Sequence, residues 1–238
     1  MAGYGYDRFS ESAYDLKNFS GPQIGSRAPD FKVATLSGEQ SSILKFDGEF
    51  LVLELGSITC PLFQSRRSGM SALAKAHPEI SFSILYTQEA HPGQNIAQHK
   101  NMAEKVNNAS RLRDEDHELR KILIDDMDGT AHTGFGGYPN SVFIINKNGC
   151  IVYFSDWNNP RRTTLALNNL LEGRPAGRQG LFLPATPPVA IKTLRRAGAG
   201  AAWDFAKSLP VMFWKNAIRR NFLTLVRPNR PIAPDHIC

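Results

Sequence analysis

One stretch constrains this chain more than any other: Phe50-Leu51-Val52-Leu53-Glu54-Leu55-Gly56-Ser57-Ile58-Thr59-Cys60-Pro61-Leu62-Phe63. Apolar residues crowd its first six positions, as in a strand buried on both faces. Gly56 breaks that pattern, and Pro61 suits the first turn of a helix, where its missing N–H would have no partner. Cys60 therefore stands where a central strand turns into a helix. The first-turn N–H groups and the helix dipole favour negative charge there, which predicts a lowered thiol pKa and a nucleophilic thiolate. The alternative is that Cys60 is a buried small hydrophobe, as free cysteines commonly are.

With 238 residues, 42% of them hydrophobic, the chain can bury a full core and carry an extension besides. Cys60, Cys150 and Cys238 are odd in number and lack CxxC or zinc-ligand spacing. Neither a disulfide framework nor a metal site is expected, and reduced thiols in a cytoplasmic setting fit best. Residues 1–7 show no basic-then-apolar leader, and no run approaches the ~18 apolar residues of a membrane span. The net charge of +6 is uneven: residues 175–238 hold ten Lys/Arg against Asp204 and Asp235 alone.

Along the chain, residues 1–23 mix Gly, Ser, Tyr and charges without a period and read as a loosely ordered lead. A strand follows at 32–35, with an edge segment near 42–44. After the strand at 50–56 comes a helix over 61–75, with Phe63, Met70, Leu73 and Ala74 on one face. A strand at 80–86 runs into Thr87-Gln88-Glu89-Ala90-His91-Pro92-Gly93, and titratable residues at the end of a core strand are where open α/β sheets keep their chemistry. The spacing then predicts a helix over 95–110, a solvated segment over 111–118, a strand at 121–124 and a short helix over 130–135. Pro139 precedes a strand at 141–146, where a proline marks a strand start or a special turn such as a cis peptide. Lys147-Asn148-Gly149 turns into a strand at 150–155, and a helix over 161–171 closes a domain spanning 24–173. The expected architecture is α/β, a central mixed sheet with helices on both faces.

A Pro/Gly-rich linker over 174–188 leads to a basic amphipathic helical tail, 189–238, in two segments (190–209 and 210–226) separated by Pro210. Aromatics among cations in the second segment fit an anionic bilayer surface, and equally well packing on the domain or on a second subunit. The scattered arginines form no nucleic-acid motif.

A cysteine at a strand end, a proline before a later strand and a closing β-hairpin together resemble the thioredoxin fold. Within it, the chain is similar to the iodothyronine deiodinase family. Gly56-Ser57-Ile58-Thr59-Cys60-Pro61-Leu62-Phe63 looks like that family's active-site segment, with Cys60 at the selenocysteine position. Glu89-Ala90-His91-Pro92 matches its Glu-Ala-His-Pro element, and Gln98-His99-Lys100 followed by Glu104 resembles its next helix start, which holds a second histidine. Pro139 and Asn158-Asn159-Pro160 fall in matching places, so the resemblance covers about residues 24–172. Ile58 stands where the family often has a partner cysteine. The loop between His91 and His99, which helps to form the family's hormone pocket, is short, so thyroid-hormone specificity does not carry over with the resemblance.

The resemblance implies reductive dehalogenation of an aryl halide, or a related thiol-dependent reduction. Cys60 would be the nucleophile, His91 or His99 the proton donor, and Glu89 the residue that orients a histidine. Ser57, Thr59 and Pro139 would position a small-molecule substrate. No bound cofactor or metal is implied, and an external thiol such as thioredoxin or glutathione would regenerate Cys60. A peroxiredoxin-like peroxidase is a second reading, with Ser57 bonding the peroxide, Arg66 or Arg161 as cation and Cys150 or Cys238 as resolving thiol. A non-catalytic binding module, with the tail as its functional part, is a third. The expected setting is cytoplasmic, peripheral at a membrane if the tail binds lipid, with a homodimer as the alternative role for the tail.

Overall fold

A computed structural model describes residues 4–16, 19–227 and 230–238. Its centre is a seven-stranded mixed sheet. The strands are β1 (Lys32–Thr35), β2 (Gln40–Ser42), β3 (Phe50–Gly56), β4 (Ser81–Tyr86), β5 (Lys121–Ile124), β6 (Val142–Asn146) and β7 (Ile151–Ser155), in the spatial order β2-β1-β5-β4-β3-β6-β7. β3, β4 and β5 run parallel, joined by α1 (Pro61–Ala76) and α2 (Met102–Asp114). β6 and β7 add antiparallel beyond β3, after the short α3 (Thr130–Gly134), and α4 (Pro160–Leu171) returns over the sheet. This is the thioredoxin-like α/β arrangement that the resemblance implied.

β3 is buried along its whole length, which is why it reads as an apolar run without alternation. Leu51, Leu53 and Leu55 face one core with Phe135 and Phe143, while Val52 faces a second with Met70 and Leu167. Glu54 interrupts the run and is fully buried, but its carboxylate accepts from Arg120 Nη1 at 2.7 Å, Asn140 Nδ2 at 3.0 Å and Asn158 Nδ2 at 2.6 Å. A buried charge persists only when its lone pairs are filled in this way.

Several expectations are corrected. The second helix begins at Met102, because Asn101 caps it by accepting from Glu104 N, while the Glu104 carboxylate accepts from Lys100 N, just before the cap. The segment 111–118 is not simply solvated: Leu112 and Glu118 are buried, and Glu118 pairs with Arg120. The edge strand lies at Gln40–Ser42 rather than 42–44. No cis peptide occurs among the described residues, Pro139 included. Of the lead, residues 1–3, 17 and 18 lie outside the described residues, but Phe9, Tyr14 and Leu16 are buried against Tyr138 and Trp157. Its scattered aromatics lack a period because they fill a cleft rather than one face of a helix.

The tail comprises α5 (Pro187–Ala197), α6 (Ala199–Met212), a π-helical segment (Phe213–Arg220) and α7 (Asn221–Val226). Pro210 lies inside α6 and the break falls at Gly198 instead, whose φ of 125° suits glycine and whose missing Cβ leaves room for Gln94 Oε1. The tail lies on the domain: Arg196 bonds Asp116 and Glu115, and Arg220 bonds Asp156 and the Gly180 carbonyl. The chain then returns to the far end of the sheet, where Cys238 forms a disulfide with Cys150. The expectation of three reduced thiols is thereby overturned, since only Cys60 is free.

Candidate active site

Cys60 caps α1 from an extended backbone conformation, and its Sγ accepts from Phe63 N at 3.5 Å. Gly56 makes the turn possible, because a Cβ there would stand 2.3 Å from the Phe63 ring. The strand-to-helix geometry is as the sequence implies, but the electrostatics are not. Cys60 is only 1% exposed, and burial pushes its pKa up to about 12, against the opposing pull of the Phe63 and Leu62 N–H groups. The expected lowered pKa is therefore corrected: first-turn amides do not offset loss of water when no cation bonds the sulfur.

The burial comes from both ends of the chain. An apolar cleft of about 100 Å³ lies over Cys60, lined on the domain side by Leu62, His91, Pro139 and Trp157. Phe9 and Tyr14 of the lead form one wall, while Phe182 of the linker and Phe205, Leu209 and Met212 of the tail form the roof. Phe9 stands 4.1 Å from the His91 ring and Phe205 5.2 Å, centroid to centroid. Burial lowers the His91 pKa to about 3, so the imidazole is neutral at pH 7, and its Nδ1 is buried without a hydrogen-bond partner.

Behind the cleft, Thr59 and Glu89 form the second layer. Thr59 Oγ1 donates to Glu89 Oε2 at 2.6 Å and accepts from His91 N at 3.2 Å, tying the cysteine loop to the Glu-Ala-His-Pro turn. Tyr86 OH donates to the other Glu89 oxygen. Burial raises the Glu89 pKa, opposed by the bonds from Thr59 and Tyr86. Ser57 Oγ accepts from Ala90 N at 3.1 Å, so it holds the same turn. Glu89 thus meets a hydroxyl pair rather than a histidine side chain.

His99 is buried elsewhere: it does not line the cleft, neither ring nitrogen has a partner, and burial together with Lys105 lowers its pKa to about 3. Lys105 is itself buried and donates to Tyr4 OH and the Asp126 carbonyl. The structure therefore brings Cys60, His91 and Pro139 together, holds them through Ser57, Thr59 and Glu89, and sets His99 apart. Arg66 gives its donors to the Asn158 and Leu183 carbonyls, and Arg161 is exposed.

Cys150 and Cys238 are joined at the sheet end where Asn146 faces Phe50, opposite the end that leads to Cys60. A seven-residue strand separates the two ends, roughly 20 Å, so neither sulfur is placed to resolve Cys60. Among the described residues, no group of three or more His, Cys, Asp or Glu is placed to hold a metal ion.

Sequence reasoning did not find Tyr86, Phe9 or the tail roof. Tyr86 had a signal, three residues before Glu89 at the end of a buried strand.

A thioredoxin-like sheet with one thiol at the N-terminus of its first sheet-packed helix defines the class: a single-cysteine thioredoxin-fold protein. More narrowly, the chain belongs to the iodothyronine deiodinase family, whose sequence profile matches residues 6–161. It is 31% identical over 151 residues to the thyroxine 5-deiodinase of Ovis aries, covering 58% of this chain and 51% of that protein. To that of Homo sapiens it is 30% identical, covering 58% and 49%. The chain thus spans about half the length of the curated relatives it matches. An uncharacterized conserved protein from Geobacillus kaustophilus shares the fold at a TM-score of 0.53 and 19% identity, over 67% of this chain and 86% of its own. A hypothetical protein from Sinorhizobium meliloti does so at 0.52 and 14%, over 63% and 85%. The family match ends before the tail roof begins.

Proposed function

We propose that this chain is a cysteine-dependent oxidoreductase of deiodinase type that removes halide from an aryl substrate at the expense of an external thiol. One observation carries the reading: the free Cys60 lies with a neutral, partner-seeking His91 in a cleft whose lining is almost wholly apolar. Such a lining suits a halogenated ring and offers little to a polar peroxide, which favours dehalogenation over the peroxidase reading.

With the cleft opened to water, which relieves the burial that holds both groups neutral, His91 takes the Cys60 proton, and the sulfur attacks the halogen of Ar–I. An S–I bond forms as the C–I bond breaks, and the imidazolium returns the proton to the ring carbon, giving Ar–H. One external thiol displaces iodide to form a mixed disulfide. A second releases Cys60 as thiol, so two thiols become one disulfide and H⁺ and I⁻ leave. Ser57, Thr59 and Glu89 hold the loop and turn that carry the reacting groups, with Pro139 in the cleft wall.

At pH 7 a thiol titrating at about 12 is ionised on the order of once in 10⁵. The cleft of about 100 Å³ is also below the ≈ 300 Å³ at which ligand pockets begin. Both point to a roof that lifts to admit substrate, bringing Cys60 nearer to water. The cytoplasmic expectation fits poorly with Cys150–Cys238, because disulfides last in oxidising compartments.

The test is iodide release from iodotyrosines and iodothyronines with excess dithiothreitol, with peroxide consumption followed in parallel. Release lost in Cys60→Ala and reduced about 10²-fold or more in His91→Ala is the expected result. Cys60-dependent peroxide loss without iodide would replace this reading with a peroxidase, and silence in both assays would leave a binding module.

A further inference from the structure

The tail helix is inside out. Over 204–224, every fourth residue faces the domain: Asp204, Ser208, Met212, Asn216, Arg220 and Thr224. Nearly all are polar and bonded. Asp204 accepts from Arg8 Nε at 3.0 Å, Ser208 donates to Glu11 at 3.0 Å, Asn216 accepts from Trp157 Nε1 at 3.2 Å and Arg220 Nε donates to Asp156 at 3.1 Å. An α-helix alone would rotate such a stripe by about 40° at each step of four residues. The wider turns of Phe213–Arg220 counter that drift and keep the stripe on the domain.

The opposite side carries the hydrocarbon. Trp203, Trp214, Phe222 and Leu225 are between 59% and 63% exposed. A surface helix ordinarily turns its apolar side inward, and a contiguous exposed apolar face marks an interaction site. Charge identifies what covers it. Residues 205–234 contain six Lys/Arg and no Asp or Glu; Arg220 is turned inward on Asp156, and among the others Lys207 faces solvent and Lys215 is half-buried. A second copy of this face would oppose cation to cation. An anionic bilayer surface offers hydrocarbon for the aromatics and phosphates for the cations, and tryptophan favours that boundary. Among the described residues, no helix is long and apolar enough to cross a membrane, so the contact is with the surface.

We propose that residues 199–226 dock this chain on an anionic lipid surface through their outward aromatic face. The experiment is co-sedimentation of the full chain with phosphatidylcholine vesicles, with and without 30% phosphatidylglycerol, alongside light scattering of the free protein. Expected are binding to the anionic vesicles that falls at least tenfold when salt is raised from 0.1 to 0.5 M, and a blue shift of tryptophan emission. Trp214→Glu with Phe222→Glu lowers binding at least tenfold while the far-UV spectrum and thermal transition stay put. Should that pair disturb the fold, Lys207→Glu, at an exposed position, lowers binding in the same direction. Equal binding to neutral and anionic vesicles, or to neither, overturns the proposal. So does a dimer in solution that Trp214→Glu with Phe222→Glu disperses, which would make the second copy the occupant.

Discussion

Around Leu51, Leu53 and Leu55 the chain hides hydrocarbon, whereas along residues 199–226 it hides Asp204, Ser208, Asn216 and Arg220 and leaves Trp203, Trp214 and Phe222 in water. The first arrangement gains stability from area removed from water, which is large and non-directional. The second is attached by a few directional bonds, each worth little more than the water it replaces. A core built the first way resists opening; a roof attached the second way can lift without unfolding what lies beneath. Cys60 sits at the boundary between them.

The largest effect on this contrast is expected inside the sheet. Arg120→Ala strands the buried Glu54 and Glu118 carboxylates and costs about 3–5 kcal/mol, read as a fall in the denaturant midpoint of the whole domain. Acid comes next. His91 and His132 are buried with pKa values lowered to about 3, so below the unfolded value near 6.5 the unfolded chain binds protons that the folded one does not. Their stabilising contribution is complete above pH 6.5 and declines as pH falls toward 3. With His99, whose pKa is likewise lowered to about 3, it should shrink by about 2 kcal/mol per histidine at pH 5, an effect that His132→Gln would cut by about a third in a pH series of unfolding curves.

Arg220→Ala should act on the roof alone. It removes the bonds to Asp156 and the Gly180 carbonyl, so the roof lifts, the stranded Asp156 regains water, Cys60 is exposed, and the main unfolding transition moves less than in Arg120→Ala. Alkylation by iodoacetamide at pH 8 should rise at least tenfold as the thiol pKa falls from about 12 toward its free value of about 8.5. An unchanged rate would mean that the roof is as firmly built as the core. The smallest effect belongs to the outward face: in buffer, Trp214→Ser should shift stability by no more than about 0.5 kcal/mol, since the side chain is 63% exposed.

Much of the sheet was legible because local signals agree with the tertiary result. Phe50–Gly56, Lys121–Ile124 and Lys32–Thr35 fall where their apolar runs placed them, and Cys60-Pro61 announces the start of α1 in any context. The thiol's acidity was not legible, because it is set by Phe9 and by Phe205 to Met212, residues far away in sequence that exclude water from it. The roof escaped for a related reason. A helical pattern tells which side is apolar, and the usual inference that this side faces inward fails when polar residues are satisfied by a partner surface. Cys150 and Cys238 lie 88 residues apart, and no spacing rule reaches across that distance.

That bond also governs how the roof can move. The disulfide closes a covalent ring from 150 to 238 that contains β7, α4 and the whole tail, with its knot at the sheet end remote from the cleft. A segment held at both ends bows outward like a strap instead of swinging free like a door, so it explores less space when lifted and meets the cleft again at a higher effective concentration. Cutting the ring with a reductant would leave every contact over Cys60 in place yet remove one of the two moorings, turning the strap into a flap.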